Sequence, residues 1–255
     1  MRRNPTLPSR ALATLLVVLL AAVAACSADR PELADKAVTT TTTEATTTTE
    51  ATPLARRAEA KGTSIDIYPD ASATEPVRQL TAQEATSAPG IPIVFLVKGE
   101  QGDRYEVYLP VPPNGGTGWV EAADVDVAQV DFRIEVALAE HRIRVYENDE
   151  LVVEEPVGVG RTDRPAPGVY YLKELLQPPD PDGPYGHFTY GLSGFSTVLS
   201  SFNGGDGIIG IHGTNEPDKI GQDVSSGCIH VANDVIDRLV NEIGLPLGTP
   251  VEILA

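Results

Sequence analysis

One thiol and one histidine, sixteen residues apart, are the groups in this chain best suited to covalent chemistry. His212 closes Ile208-Ile209-Gly210-Ile211, a buried-strand pattern, and is followed by Gly213-Thr214; Cys228 lies in Ser225-Ser226-Gly227-Cys228-Ile229-His230. A thiol with its ordinary pKa of about 8.5 is mostly protonated at neutral pH. A histidine within hydrogen-bond reach can take that proton or stabilise the thiolate, which makes a strong nucleophile. The histidine needs its other ring nitrogen held. No Asp or Asn is placed for that duty, so the carbonyl of Gly213 or Thr214 is the expected partner. Gly227 lets the backbone come close to a substrate, and the amide of Cys228, with that of Gly227, can stabilise a tetrahedral oxyanion. Cysteine–histidine acyl transfer is the reaction these parts assemble.

Other readings of the same residues stay open at this point. A lone thiol can be buried filler. Cys228, His230 and His212 can supply three zinc ligands, although nothing marks a fourth. Tyr185, Tyr190 and Phe195 suit either a core or a cleft wall, and His187 can border that cleft. Asp223 reads as a solvated loop acid.

These groups need rigid elements to hold them. Ile134, Val136 and Leu138 alternate with polar neighbours, and Ile143/Val145 and Leu151/Val153 repeat that period around Asn148-Asp149, a hairpin signal. Val157 and Val159 continue it. One helix follows the cysteine, with Asn233 as its expected cap, Val235, Leu239, Val240 and Ile243 as its apolar stripe, and Gly244 and Pro246 as its stop. The second half is therefore mainly β with one helix, and packing of sheet on sheet is the natural burial of its alternating faces. Between residues 63 and 128 short β-type runs alternate with turn formers such as Pro89-Gly90 and Asn114-Gly115-Gly116, closing on Gly118-Trp119-Val120. This punctuation resembles a small bacterial SH3-like barrel, with Trp119 in its core or in a peptide groove.

The N-terminus carries its own signals. Arg2, Arg3 and Arg10 precede an apolar run, Leu12 to Leu20, and Val23-Ala24-Ala25-Cys26 resembles a lipobox. Residues 1–25 read as a signal peptide, and Cys26 as the site of lipid attachment. Nine of the eleven residues from Thr39 to Thr49 are threonine, so residues 26–62 are expected to be a disordered tether. Its relaxed span would be on the order of 35 Å, enough to carry a folded head from the outer membrane face toward the cell wall. The chain holds 36 acidic against 19 basic side chains, a net charge of −17. Such a balance argues against nucleic acid as a partner and keeps the head off anionic lipid, so the membrane is met through the lipid anchor alone.

Residues 129–255 also resemble a known family. Ile211-His212-Gly213-Thr214 followed by Ser225-Ser226-Gly227-Cys228-Ile229, with Gly158-Val159-Gly160, Thr162 and Pro165-Ala166-Pro167-Gly168-Val169-Tyr170 upstream, is similar to the YkuD-type L,D-transpeptidases. The resemblance implies a YkuD-type β-sandwich and cysteine acyl transfer without a cofactor or metal. It implies stem peptides of peptidoglycan as partners: a tetrapeptide donor losing D-alanine, an amine acceptor, and a 3→3 crosslink. It further implies carbapenems as covalent inhibitors. Carried over, Cys228 is the nucleophile, His212 the base, and Gly213 the orienting carbonyl. Ser225, Ser226, Gly227, His230 and Thr214 then shape the oxyanion and substrate site. Two positions depart from the family pattern: Ser226 stands where a histidine is usual, and His230 where an arginine is common.

Overall fold

The computed structural model describes residues 55–198, 201–202 and 205–255. The signal-like segment, the lipobox at Cys26 and the threonine-rich stretch lie outside the described residues. Five strands build the N-terminal unit: β1 (Ala55–Ala60), β2 (Val94–Gln101), β3 (Arg104–Tyr108), β4 (Thr117–Glu121) and β5 (Val125–Val130). They form an antiparallel sheet in the order β4-β3-β2-β1-β5. A hairpin, Ser64–Ile67 with Arg78–Thr81, and the short helix Ala82–Ala85 complete the unit around Ile65, Leu80, Phe95 and Val107.

Residues expected to be disordered include a strand. Residues 55–60 fall inside the expected 26–62 segment, yet β1 lies within the sheet, paired to β2 on one side and β5 on the other. Its sequence, Ala-Arg-Arg-Ala-Glu-Ala, has no β-branched or aromatic residue to announce a strand. Two ladders of backbone hydrogen bonds hold it, while Ala58 and Ala60 supply small buried contacts.

Eight further strands form the C-terminal unit: β6 (Phe132–Ala137), β7 (Arg142–Glu147), β8 (Glu150–Pro156), β9 (Gly168–Leu176), β10 (Thr189–Phe195), β11 (Ile208–His212), β12 (Ile229–His230) and β13 (Pro250–Leu254). Their spatial order is β8-β7-β6-β13-β9-β10-β11-β12. The two layers expected of a sandwich are thus the two halves of one curled sheet, and residues from both, such as Val145 and Ile211, share one core. β13 runs parallel to β6 and antiparallel to β9, so the chain end locks the middle of the sheet. At the β7–β8 turn, Asn148 and Asp149 both have positive φ (48° and 66°), as the hairpin signal required. Leu151 departs from its expectation. It is exposed, because the register shifts between Leu151 and Val153 and the bulge breaks the alternation.

The expected helix follows Cys228 as Asn233–Asp237 and continues in π form through Arg238–Ile243. Gly244 ends it in the left-handed conformation, φ 69°. Ala232, not Asn233, is its N-cap; the Asn233 carboxamide serves the active-site strand instead.

The two units are stitched together at several places. The Lys173 ammonium donates to the Ala85 carbonyl at 2.9 Å, and Glu174 Oε2 accepts the Ser87 N–H at 2.7 Å. Asn114 makes a reciprocal pair with the backbone of Phe195, 2.8 Å each way, and the buried Tyr171 hydroxyl donates to Tyr108 O.

Candidate active site

Strand register builds the site. Across β9, β10, β11 and β12 one row of opposed residues reads Leu176, Thr189, His212, His230. Two residues along, Glu174, Gly191 and Gly210 form the next row, and Cys228 stands beside it, directly before Ile229, the partner of Ile211. Side chains two apart on a strand share a face. Glu174, Thr189, His212, Cys228 and His230 therefore belong to one face of the sheet. Tyr190, Ile211 and Ile229, on the other face, are buried in the core. A parallel β11–β12 pair, which sequence periodicity cannot announce, is what brings His212 and His230 side by side, ring centroids 4.5 Å apart.

His212 is buried, 3% exposed, and its Nδ1 lies 2.6 Å from Gly213 O. A carbonyl only accepts, so Nδ1 carries the proton and Nε2 is left as the basic nitrogen. The orienting carbonyl is thus the one expected. Thr214 is held by Asn233, whose Oδ1 accepts its backbone N–H at 2.9 Å. That carboxamide fits only because Gly186 and Gly213 lack side chains: a Cβ on either would come within 2.2 Å of Asn233 Oδ1. Tyr185, on the loop before Gly186, packs edge-on to the His212 ring at 5.0 Å.

The loop before the cysteine is braced by Ser225. Its hydroxyl donates to Cys228 O at 2.5 Å and accepts the Gly227 N–H at 3.1 Å. This corrects one expectation: the Gly227 amide is committed to Ser225 and is not a free oxyanion donor, which leaves the Cys228 amide for that duty. Gly227 is nevertheless required, since its φ of 142° lies where L side chains are strained.

The electrostatics of the resting site favour neutral groups. Burial first, and the neighbouring His230 second, push His212 down to about 3 against the pull of Gly213 O. Burial pushes the Cys228 thiol above its ordinary value, opposed by a hydrogen bond from the Gly210 backbone and reinforced by the Asp163 charge. Burial likewise lowers His230. Of the two roles left open for His212, these directions favour taking the thiol proton over holding a resting imidazolium–thiolate pair, whose two charges burial would oppose.

Two cavities meet at these residues. One, about 170 Å³, is walled by Ser196, Val224, Ser226, Gly227 and His230. The other, about 370 Å³, extends over Glu174, Gln177, Thr189, Gly191 and Gly210. Cys228, His212, Tyr185 and Ile208 line both. The structure thus collects Cys228, His212, Ser225, Ser226, Gly227 and His230 in one cleft, with Gly213 and Thr214 buried behind. His187 pairs with Asp237 at 2.8 Å, and neither it nor the core residue Tyr190 lines either cavity. Asp163, Glu174 and Asn233 were missed as site residues. Asp163 is 5% exposed, accepts the Ser196 hydroxyl, and lies within 3.3 Å of where a Gly227 Cβ would stand. Nothing in the run Arg161-Thr162-Asp163-Arg164 separates it from surface charge. Asp223 binds Arg164 at 2.6 Å and His141 at 2.9 Å. Among the described residues no group of three His, Cys, Asp or Glu side chains is arranged to hold a metal ion.

This cleft lies in a stretch with known relatives. Residues 131–253 match YkuD, the L,D-transpeptidase catalytic domain. These residues, just under half of the chain, are similar to that family. They are 35% identical over 124 residues to YkuD of Bacillus licheniformis, covering 49% of this chain and 66% of that protein. The L,D-transpeptidase YqjB of Bacillus subtilis is 39% identical over 85 residues, 33% of this chain and 43% of that protein. The chain thus spans just under two thirds of the first relative's length and less than half of the second's. Among solved structures, LD transpeptidase LdtMt1 in complex with imipenem is similar over 78% of this chain and 82% of that one, with 15% identity and a TM-score of 0.38.

Proposed function

We propose that this protein is a cysteine L,D-transpeptidase that forms 3→3 crosslinks between peptidoglycan stem peptides. Cys228 Sγ attacks the carbonyl of the L-centred third residue of a tetrapeptide, and its proton passes to His212 Nε2. The bond to the terminal D-alanine breaks, and the departing amine takes that proton. An amine from a second stem then attacks the thioester and yields its proton through His212 to the sulfur as the amide forms. The Cys228 amide stabilises both tetrahedral oxyanions, a role worth about 10²–10³ in rate for comparable donors. Ser225, Thr214 and Gly213 hold the machinery, while Ser226 and His230 wall the cleft.

The observation that carries this reading is the meeting of two cavities at one thiol and one oriented imidazole. A transferase needs separate approaches for donor and acceptor, and the cleft has them. A carbapenem, whose strained ring a thiol can open, is the expected covalent inhibitor. The lipobox-like Val23–Cys26 supports export and lipid anchoring at the outer membrane face, the tether reaching the wall. Incubating the protein with a disaccharide tetrapeptide and following products by mass spectrometry tests the proposal. D-alanine release with a crosslinked dimer, absent in Cys228→Ala, is expected. D-alanine release without a dimer would make the protein a carboxypeptidase.

A further inference from the structure

The larger of the two cavities is a groove cut into the sheet face, and its chemistry has no part in the proton transfers above. Its floor is a pair of glycines opposed across β10 and β11, Gly191 and Gly210. At one end stands Cys228, hydrogen-bonded by the Gly210 backbone. At the other stands Glu174, in register with Gly191 and only 1% exposed. Its carboxyl leans over the glycine floor: a Cβ on Gly191 would come within 2.5 Å of Glu174 Oε1. Oε2 accepts the Ser87 N–H, which fixes the group in place. Thr189 adds its methyl to the wall, 3.4 Å from where a Gly210 Cβ would stand. A buried acid facing a cavity beside the thiol is a costly feature unless a ligand uses it.

We propose that this groove binds the side chain of the acylated residue and that Glu174 pairs with a primary ammonium at its end. The inference rests on the transpeptidase reading above. The carboxyl lies over β10, one strand spacing of about 4.8 Å from β11, whose Gly210 backbone touches the sulfur. An ammonium six bonds from the acyl carbon, as in lysine or a similar diamino acid, stands roughly 7 Å away when extended. That length spans the glycine floor and brings the ammonium to the carboxyl. Neutral side chains of the same length would fill the groove but leave Glu174 without a charged partner. Donor selection is then a charge-assisted contact made beyond the reacting atoms. The smaller cavity, by Ser226 and His230, remains for the acceptor.

The test uses the full protein and two tetrapeptide donors that differ only at the third residue, lysine in one and the uncharged 2-aminoheptanoic acid, whose side chain has the same length, in the other. Cysteine-dependent D-alanine release is measured for each as kcat/KM. Wild type is expected to prefer the lysine donor at least tenfold, the scale of one charge-assisted hydrogen bond. In Glu174→Gln, which keeps an acceptor for the Ser87 N–H, that ratio should fall at least tenfold. A wild-type ratio near one overturns the inference, and this outcome needs no variant to fold. A ratio unchanged in a folded Glu174→Gln overturns it too. D-alanine release from neither donor, with the Cys228 thiol still titratable, would overturn the transpeptidase reading and this inference with it.

Discussion

At the scale of the residue, the proposed function turns on the protonation of buried His212 and half-buried Cys228. Since His212 is held at about 3 and Cys228 above its ordinary value, the pair rests neutral across the physiological range. Alkylation of Cys228 by iodoacetamide should therefore still be climbing with pH at about 8.5, the ordinary thiol value, without a plateau near neutrality, and a rate curve levelling off below pH 7 would contradict this electrostatics. His212→Asn should slow acylation by at least 10², as expected for losing a general base, while leaving Cys228 open to alkylation at high pH. The same burial links His212 to stability. Its folded value lies below the ordinary 6.5, so the unfolded chain binds the extra proton. The contribution is complete above pH 6.5 and is lost as the pH falls toward 3, at up to about 1.4 kcal/mol per pH unit. Thermal melts from pH 7 to 4 should show wild type losing stability faster than His212→Asn.

At the scale of the element, strand register and two glycines position the site. Gly186 and Gly213 close on the Asn233 carboxamide, and Gly186 also has φ 62°. Gly186→Ala would drive a Cβ to 2.6 Å from the Gly213 backbone, next to the carbonyl that orients His212. A loss of about 2 kcal/mol or more, with slowed acylation, is expected from the left-handed backbone and the clash; denaturant melts and single-turnover acylation check both. Asn233→Ala should cost about 1–3 kcal/mol, because the buried Thr214 N–H loses its acceptor. The helix was legible in the spacing of Val235, Leu239 and Val240, and the hairpin in Asn148-Asp149. The bulge that exposes Leu151 was not, since one extra residue in a strand leaves composition unchanged.

At the scale of the whole molecule, the N-terminal unit is a structural partner of the C-terminal unit. It supplies Ser87 to the wall of the larger cavity and contacts β9 through Ala85 and Tyr108. Unfolding should accordingly be one cooperative transition, and Asn114→Ala, which breaks both bonds to Phe195, should lower its midpoint without splitting it. Two separate calorimetric peaks in wild type would show that these contacts do not couple the units.

The sequence by itself singled out the candidate reacting groups of this protein. His212, Gly213 and Cys228 stand out because imidazole, glycine and thiol in that order have few other joint uses, and their motif carries the family resemblance. It also determined the β character of both halves, since alternation is a local property. The tertiary structure alone decided which residues share a face. Glu174, Thr189 and His212 are far apart in the chain and meet only through strand register, and β1 became a strand only because two neighbours pair with it. The protonation of the site was decided there too: desolvation depends on what surrounds a group, and no spacing along a chain encodes it.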